Sequence, residues 1–76
     1  MSKPLDTKHI CDNMYYIRKH VLKQSQEEFA ELIDISKDTV SNIERGKYLP
    51  NLATLVNVAN KTKTPITFFL EEMEDE

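Results

Sequence analysis

Apolar residues recur along this chain at the spacing of helices, and no stretch alternates as a strand would. Ile10, Met14, Ile17 and Val21 mark one face of a helix over residues 7–22. Ser25-Gln26-Glu27-Glu28 has the form in which a serine oxygen caps the third backbone N–H and the glutamate reaches back. A second helix starts there, with Phe29, Ala30, Leu32 and Ile33 as its buried stripe, and Asp34 follows where a left-handed turn is tolerable. Ser36 caps a short third helix that runs to about Arg45, and Gly46 suits its left-handed stop. Asp38 adds a negative charge to its first turn, where the helix dipole favours one. Pro50 and Asn51 open a fourth helix with Leu52, Leu55, Val56 and Ala59 inward. Thr62-Lys63-Thr64-Pro65 closes it and opens a fifth, in which Ile66, Phe69 and Leu70 keep the apolar period. The pattern predicts an all-α fold of five helices, one domain over residues 7–70 and an acidic tail over residues 71–76.

Composition narrows the chemistry. With 76 residues, 39% of them apolar, there is material for one core only. The single glycine, Gly46, excludes the glycine-rich loops of nucleotide-binding enzymes, which need two or more in a short window. No apolar run approaches the roughly 20 residues of a membrane span, and the first residues are too polar for a signal peptide, so a soluble, cytoplasmic protein is expected. One cysteine, Cys11, can form neither an internal disulfide nor a zinc site of ordinary spacing. His9 stands two residues before it and points elsewhere on a helix, so no metal and no cofactor are expected. Cys11 reads as a half-buried apolar residue, and His20 as a solvent-facing one. No nucleophile triad or pair of buried carboxylates is legible, so the chain does not read as an enzyme.

The net charge of −3 argues against a nucleic-acid partner until its distribution is considered. Five of the 13 acidic residues lie in residues 71–76, leaving 10 basic and 8 acidic side chains in residues 1–70. The body is mildly basic. The third helix then separates by angle: at about 100° per residue, Lys37, Ser41, Arg45, Asp38 and Asn42 occupy an arc of about 140°, with Thr39, Ile43 and Val40 opposite. One face docks and the other presents hydrogen-bonding groups with two cations, a chemistry suited to base edges and phosphates.

At these residues the chain resembles the phage-repressor type of helix-turn-helix, the family of lambda repressor and Cro proteins. The resemblance covers roughly residues 17–70. It rests on Ser25-Gln26-Glu27-Glu28-Phe29-Ala30, Ile35-Ser36, Val40-Ser41-Asn42-Ile43-Glu44-Arg45-Gly46, Pro50, and Thr54-Leu55 with Ala59. It implies a compact five-helix DNA-binding domain with helices two and three as the helix-turn-helix. It implies base reading by Lys37, Asp38, Ser41 and Asn42, and phosphate contact by Gln26, Thr39, Arg45, Lys47, Asn51 and Thr54. Arg18 and Glu44 are similar to a pair that ties helix one to helix three. With the extra residue of this chain placed differently, Lys19 takes the place of Arg18. The chain departs from the family in three places: Asp34 stands where glycine is usual, Lys23-Gln24 replaces Gly-Leu, and the junction after helix one is a residue longer.

Ile66, Phe68, Phe69 and Met73 offer more apolar area than one short helix buries, and are expected to join two copies, with Phe68 outward. Tyr15, Tyr16 and Tyr48 read as core or rim aromatics, Tyr48 nearest the DNA edge. The expected function is a sequence-specific DNA-binding transcriptional regulator, a repressor on a near-palindromic operator of double-stranded DNA as a homodimer. Its occupancy would follow protein concentration or a regulatory protein partner. The alternative is a protein-interaction module, antitoxin-like or adaptor, on the same helical fold.

Overall fold

The first helix does not keep its α-helical phase to the end. In the computed structural model, which describes residues 8–47 and 49–71, α1 (Lys8–Tyr16) runs into a π-helical turn, Ile17–Leu22. An i→i+5 turn accommodates an inserted residue inside a helix. The Arg18 carbonyl accepts from the N–H groups of both Lys23 and Gln24 as that turn ends. Widening the turn moves the inward position from Val21, which is 54% exposed, to Leu22, which packs on the core. The expectation that Val21 faces the core is corrected for this reason. Arg18, one turn on from Met14, faces inward at the start of the π turn.

The remaining elements are α2 (Gln26–Ile33), α3 (Lys37–Glu44), α4 (Leu52–Thr62) and α5 (Ile66–Leu70), with no strand among the described residues. Ser25 forms the full capping box with Glu28, Ser36 caps α3 through the Thr39 N–H, and Asn51 caps α4 through the Thr54 N–H. Each satisfies backbone donors that a helix start leaves open.

The helix ends share one device. Gly46 at φ 76° ends α3, with its N–H on the Ile43 carbonyl and that of Lys47 on Asn42. This is the Schellman arrangement. Asp34 (φ 62°) and Lys63 (φ 55°) close α2 and α4 in the same way, and Lys23 (φ 56°) closes the π turn. Two of these left-handed positions, Lys23 and Asp34, are those at which the family's glycines were expected. The local geometry is retained while the residue that favours it is not.

Every element feeds one core: Cys11, Met14 and Ile17; Phe29, Ala30 and Ile33; Val40 and Ile43; Leu55, Val58 and Ala59; and Phe69. α3 docks through Val40 and Ile43, as its wheel predicts. α4 is rotated from expectation. Leu55, Val58 and Ala59 face inward, whereas Leu52 is 70% and Val56 42% exposed. Its apolar arc is wider than the core it meets. Burial pushes the Cys11 thiol pKa up, with the Asp12 charge adding and the Lys8 charge opposing, so the side chain behaves as an apolar filler.

α5 is held to α1 by polar groups that sequence patterning did not single out. Asn13 is fully buried, and its Nδ2 donates to the carbonyls of Phe68 (3.0 Å) and Glu71 (2.7 Å). His9 Nε2 donates to the Leu70 carbonyl at 3.0 Å. The short helix thus has its terminal acceptors satisfied by side chains. Phe69 lies wholly inside, and Phe68 packs between Tyr16 and Phe69. Leu70 is 52% exposed instead of inward, and Ile66 packs on the core. Phe69 is therefore unable to serve an interface between copies, and Phe68 is not the outward residue expected. Met73, Tyr48 and the acidic residues after Glu71 lie outside the described residues.

The left-handed stops predict opposite effects of glycine chemistry. Lys23→Gly and Lys63→Gly relieve about 1–2 kcal/mol of backbone strain and lose about 0.4–1 kcal/mol to unfolded-chain entropy, for a net gain of about 0.5–1 kcal/mol each. Gly46→Val places a β-branched side chain at positive φ, in space otherwise open, and should destabilise by about 1–3 kcal/mol through strain alone. Urea denaturation followed by circular dichroism reads both. An unchanged midpoint for Gly46→Val would show that the left-handed stop contributes nothing.

Candidate nucleic-acid interface

The presented face of α3 depends on what fixes the helix from behind. Glu44, in its last turn, meets Arg18 from the π turn: Nε to Oε2 is 2.6 Å and the second guanidinium nitrogen to Oε1 is 3.0 Å, a two-pronged ion pair with both side chains less than a tenth exposed. The remaining guanidinium nitrogen donates to the Gln24 carbonyl at 2.7 Å. Gln26 Nε2 donates to Glu44 Oε1 at 2.9 Å, so α1, α2 and α3 converge on one carboxylate. The Tyr15 ring lies 5.3 Å from the guanidinium carbon. Burying two charges is costly unless the pairing and the remaining hydrogen bonds are satisfied, and here they are. The structure assigns the partner of Glu44 to Arg18; Lys19 is exposed.

The turn between α2 and α3 is closed on both sides. Asp34 makes the left-handed stop, the Ile35 N–H reaches back to the Ala30 carbonyl, and Asn57 from α4 donates to the Ile33 carbonyl at 2.8 Å. Ser36 Oγ accepts from the Thr39 N–H and shares a hydrogen bond with the Thr39 hydroxyl at 2.7 Å. Two helices in contact through this short turn, the second with an apolar back and a polar front, define a helix-turn-helix unit.

On the front of α3, Lys37, Asp38 and Arg45 are exposed and Ser41 and Asn42 half-buried. Among the described residues these side chains make no hydrogen bond or ion pair. Lys47 is exposed beyond Gly46. Asn51 and Thr54 meet at the start of α4, where the Asn51 side chain caps the helix. Of the residues expected to touch phosphate, Gln26 is engaged with Glu44 and the Thr39 hydroxyl with Ser36. Both therefore hold the scaffold in this structure. A second charged surface flanks the start of α3: Glu27, Glu28, Glu31 and Asp34 line an open groove with Lys37 at its border. The cations Arg45 and Lys47 stand at the other end of the helix. Asn13, which fixes α5, was the residue missed; the clue was a polar residue one turn along from Ile10 and beside Met14 on an apolar stripe.

The family model described as helix-turn-helix matches residues 16–69, and the chain belongs to that family, the lambda repressor and Cro-like helix-turn-helix proteins. It is a DNA-binding transcription regulator in general kind. No curated protein and no solved structure matches. No helix among the described residues is long and apolar enough to cross a membrane, and none of their His, Cys, Asp and Glu side chains form a metal cluster.

Breaking the central pair should be severe. Arg18→Ala leaves Glu44 buried without its cation, which costs about 3–5 kcal/mol, against a total stability of about 4–11 kcal/mol for a chain of this length. Arg18→Met with Glu44→Leu should lie much closer to wild type, since apolar replacement of both partners is near neutral. Denaturant midpoints of the three proteins check this; a double variant no better than Arg18→Ala would show that packing around the pair, and not unpaired charge, sets the loss.

Proposed function

We propose that the protein is a sequence-specific transcriptional repressor that inserts α3 into the major groove and binds a near-palindromic operator as a dimer. The observation that carries this reading is the division of α3. Its apolar face and Glu44 are consumed by the fold, while Lys37, Asp38, Ser41 and Asn42 present unengaged polar groups on one side. Lys and Asn are able to donate to acceptors on base edges, and Asp38 accepts from cytosine or repels wrong bases. Arg45 and Lys47, with the α4 start at Asn51 and Thr54, supply phosphate contacts that set register without reading sequence. Gln26 and Thr39 act from behind, keeping α3 at its angle, with phosphate contact open to groups they leave unpaired. A single α3 reads only a few base pairs, so two copies on half-sites about 34–36 Å apart supply the selectivity.

Selection of bound duplexes from random DNA tests the readers. Asn42→Ala and Lys37→Ala should each relax the selected motif and weaken the preferred site by about 1–3 kcal/mol. If both variants recover the wild-type motif, the readers lie elsewhere. Arg45→Ala and Lys47→Ala should instead weaken all sequences alike and reduce the slope of log affinity against log salt by about 1 each. An unchanged slope would remove that cation from the backbone contacts.

A further inference from the structure

We propose that the outer face of α4 is where two copies of this chain meet, Leu52 and Val56 of one packing on Leu52 and Val56 of the other across the two-fold axis of the DNA-bound pair. The inference rests on the reading of a duplicated half-site, and it moves the contact away from α5, where Phe69 is internal and Phe68 and Ile66 pack within their own chain.

Three observations lead to α4. The first is the mismatch between its apolar arc and the core. At about 100° per residue, Val58, Leu55, Ala59, Leu52 and Val56 span about 160°. Only Val58, Leu55 and Ala59 are buried, and the Leu52 side of the arc is left in solvent. Leu52 is the most exposed large apolar residue described, and Leu49, 42% exposed, lies three residues before it in the segment that leads into α4.

The second is charge. Residues 48–60 contain no charged side chain in a chain that is 30% charged, the longest such run it has. The exposed positions of α4 before Lys61 are Leu52, Ala53, Val56 and Asn60, all uncharged. A solvated helix face ordinarily carries charges. A face meant for DNA carries cations, as the α3 end does. A face that meets its own copy is different: across a two-fold axis each residue near the axis opposes itself, so any charge there would face a like charge. An uncharged aliphatic face fits a second copy and fits neither water nor phosphate.

The third is that the other exposed apolar residues have ring contacts or charged sequence neighbours: Val21 lies between Lys19 and Lys23, and Leu70 stands beside Glu71. Tyr15 lies under Arg18, and Tyr16 sits against His20 and Phe68. Leu52 and Val56 have only part of their surface taken by the fold.

The size of the patch sets the strength of the contact. Three aliphatic side chains fall well short of the about 800 Å² per partner of a standard stable interface. The pair therefore forms weakly in free solution and closes when two half-sites hold the copies together, through a raised effective concentration. The α4 face then appears as cooperativity on a full site.

The full chain and three variants decide the matter. A duplex selected by wild type from random DNA is used whole and as an isolated half-site, with sedimentation equilibrium of the proteins without DNA at high concentration. Val56→Glu, with Leu52→Ser as the milder variant, should keep wild-type helicity and half-site affinity within about twofold, while the advantage of the full site falls by roughly tenfold or more. Mixing Val56→Glu with Val56→Lys should restore full-site binding above that of either alone, because opposite charges then meet across the axis. The inference is overturned if both variants keep the full-site advantage, or if half-site affinity falls as much as full-site affinity, which would place the face on DNA. Wild type that selects no DNA but forms a concentration-dependent dimer dissolved by Val56→Glu would retain the interface and remove the proposed function. Half-site binding with no full-site advantage and no dimer at any concentration would overturn the interface and the dimeric part of the proposed function, leaving only DNA recognition by α3.

Discussion

One carboxylate, that of Glu44, ties together the three elements on which the orientation of α3 depends. It accepts from two nitrogens of Arg18 and from Gln26, so the helix bearing it cannot rotate or slide without unpairing buried charge. An apolar contact would allow such motion at small penalty, since packing is graded and non-directional. A two-pronged ion pair fixes an angle as well as a distance. The core of Val40 and Ile43 holds α3 against the domain, and the Arg18 bracket determines which way its polar side faces.

That bracket begins where the first helix changes pitch. In an unbroken α-helix Val21 would follow Ile17 on the core side; the π turn instead brings Leu22 to the core, while Arg18, one turn on from Met14, reaches Glu44 from the start of that turn. The change of pitch is absorbed within the helix, and the three residues between Leu22 and Gln26 deliver the Ser25 capping box to its place. A longer loop would have loosened the α2 start and, through Gln26, the bracket itself.

Five helices, their caps and the docked face of α3 were legible because each is set by residues close in sequence: Ser25 with Glu28, Ser36 with Thr39, Gly46 after Glu44. The Arg18 to Glu44 pairing became legible through resemblance, with Lys19 left as a competitor until the contacts of Arg18 settled it. What was hidden depends on how much of an apolar arc its neighbours cover. Val21, Leu52, Val56 and Leu70 belong to apolar periods and yet face solvent, since one small core buries only part of each stripe. Asn13 was hidden for the opposite reason: its partners are carbonyls 55 and 58 residues away, and nothing local to Asn13 announces them.

The arrangement of charge along α3 has an electrical consequence. Acids of α2 and Asp34 gather at the helix start, while Arg45 and Lys47 mark its end. α3 with its flanks therefore carries an uneven charge whatever the sum over the chain. In the steep field beside a polyanion such a body feels a torque before it feels a net pull. The cations are drawn toward phosphate and the acids beside Lys37 are repelled by it, so approach is biased by orientation at a range where no side chain yet touches a base. A formal charge of −3 is therefore a poor guide to what the end of α3 presents to a duplex.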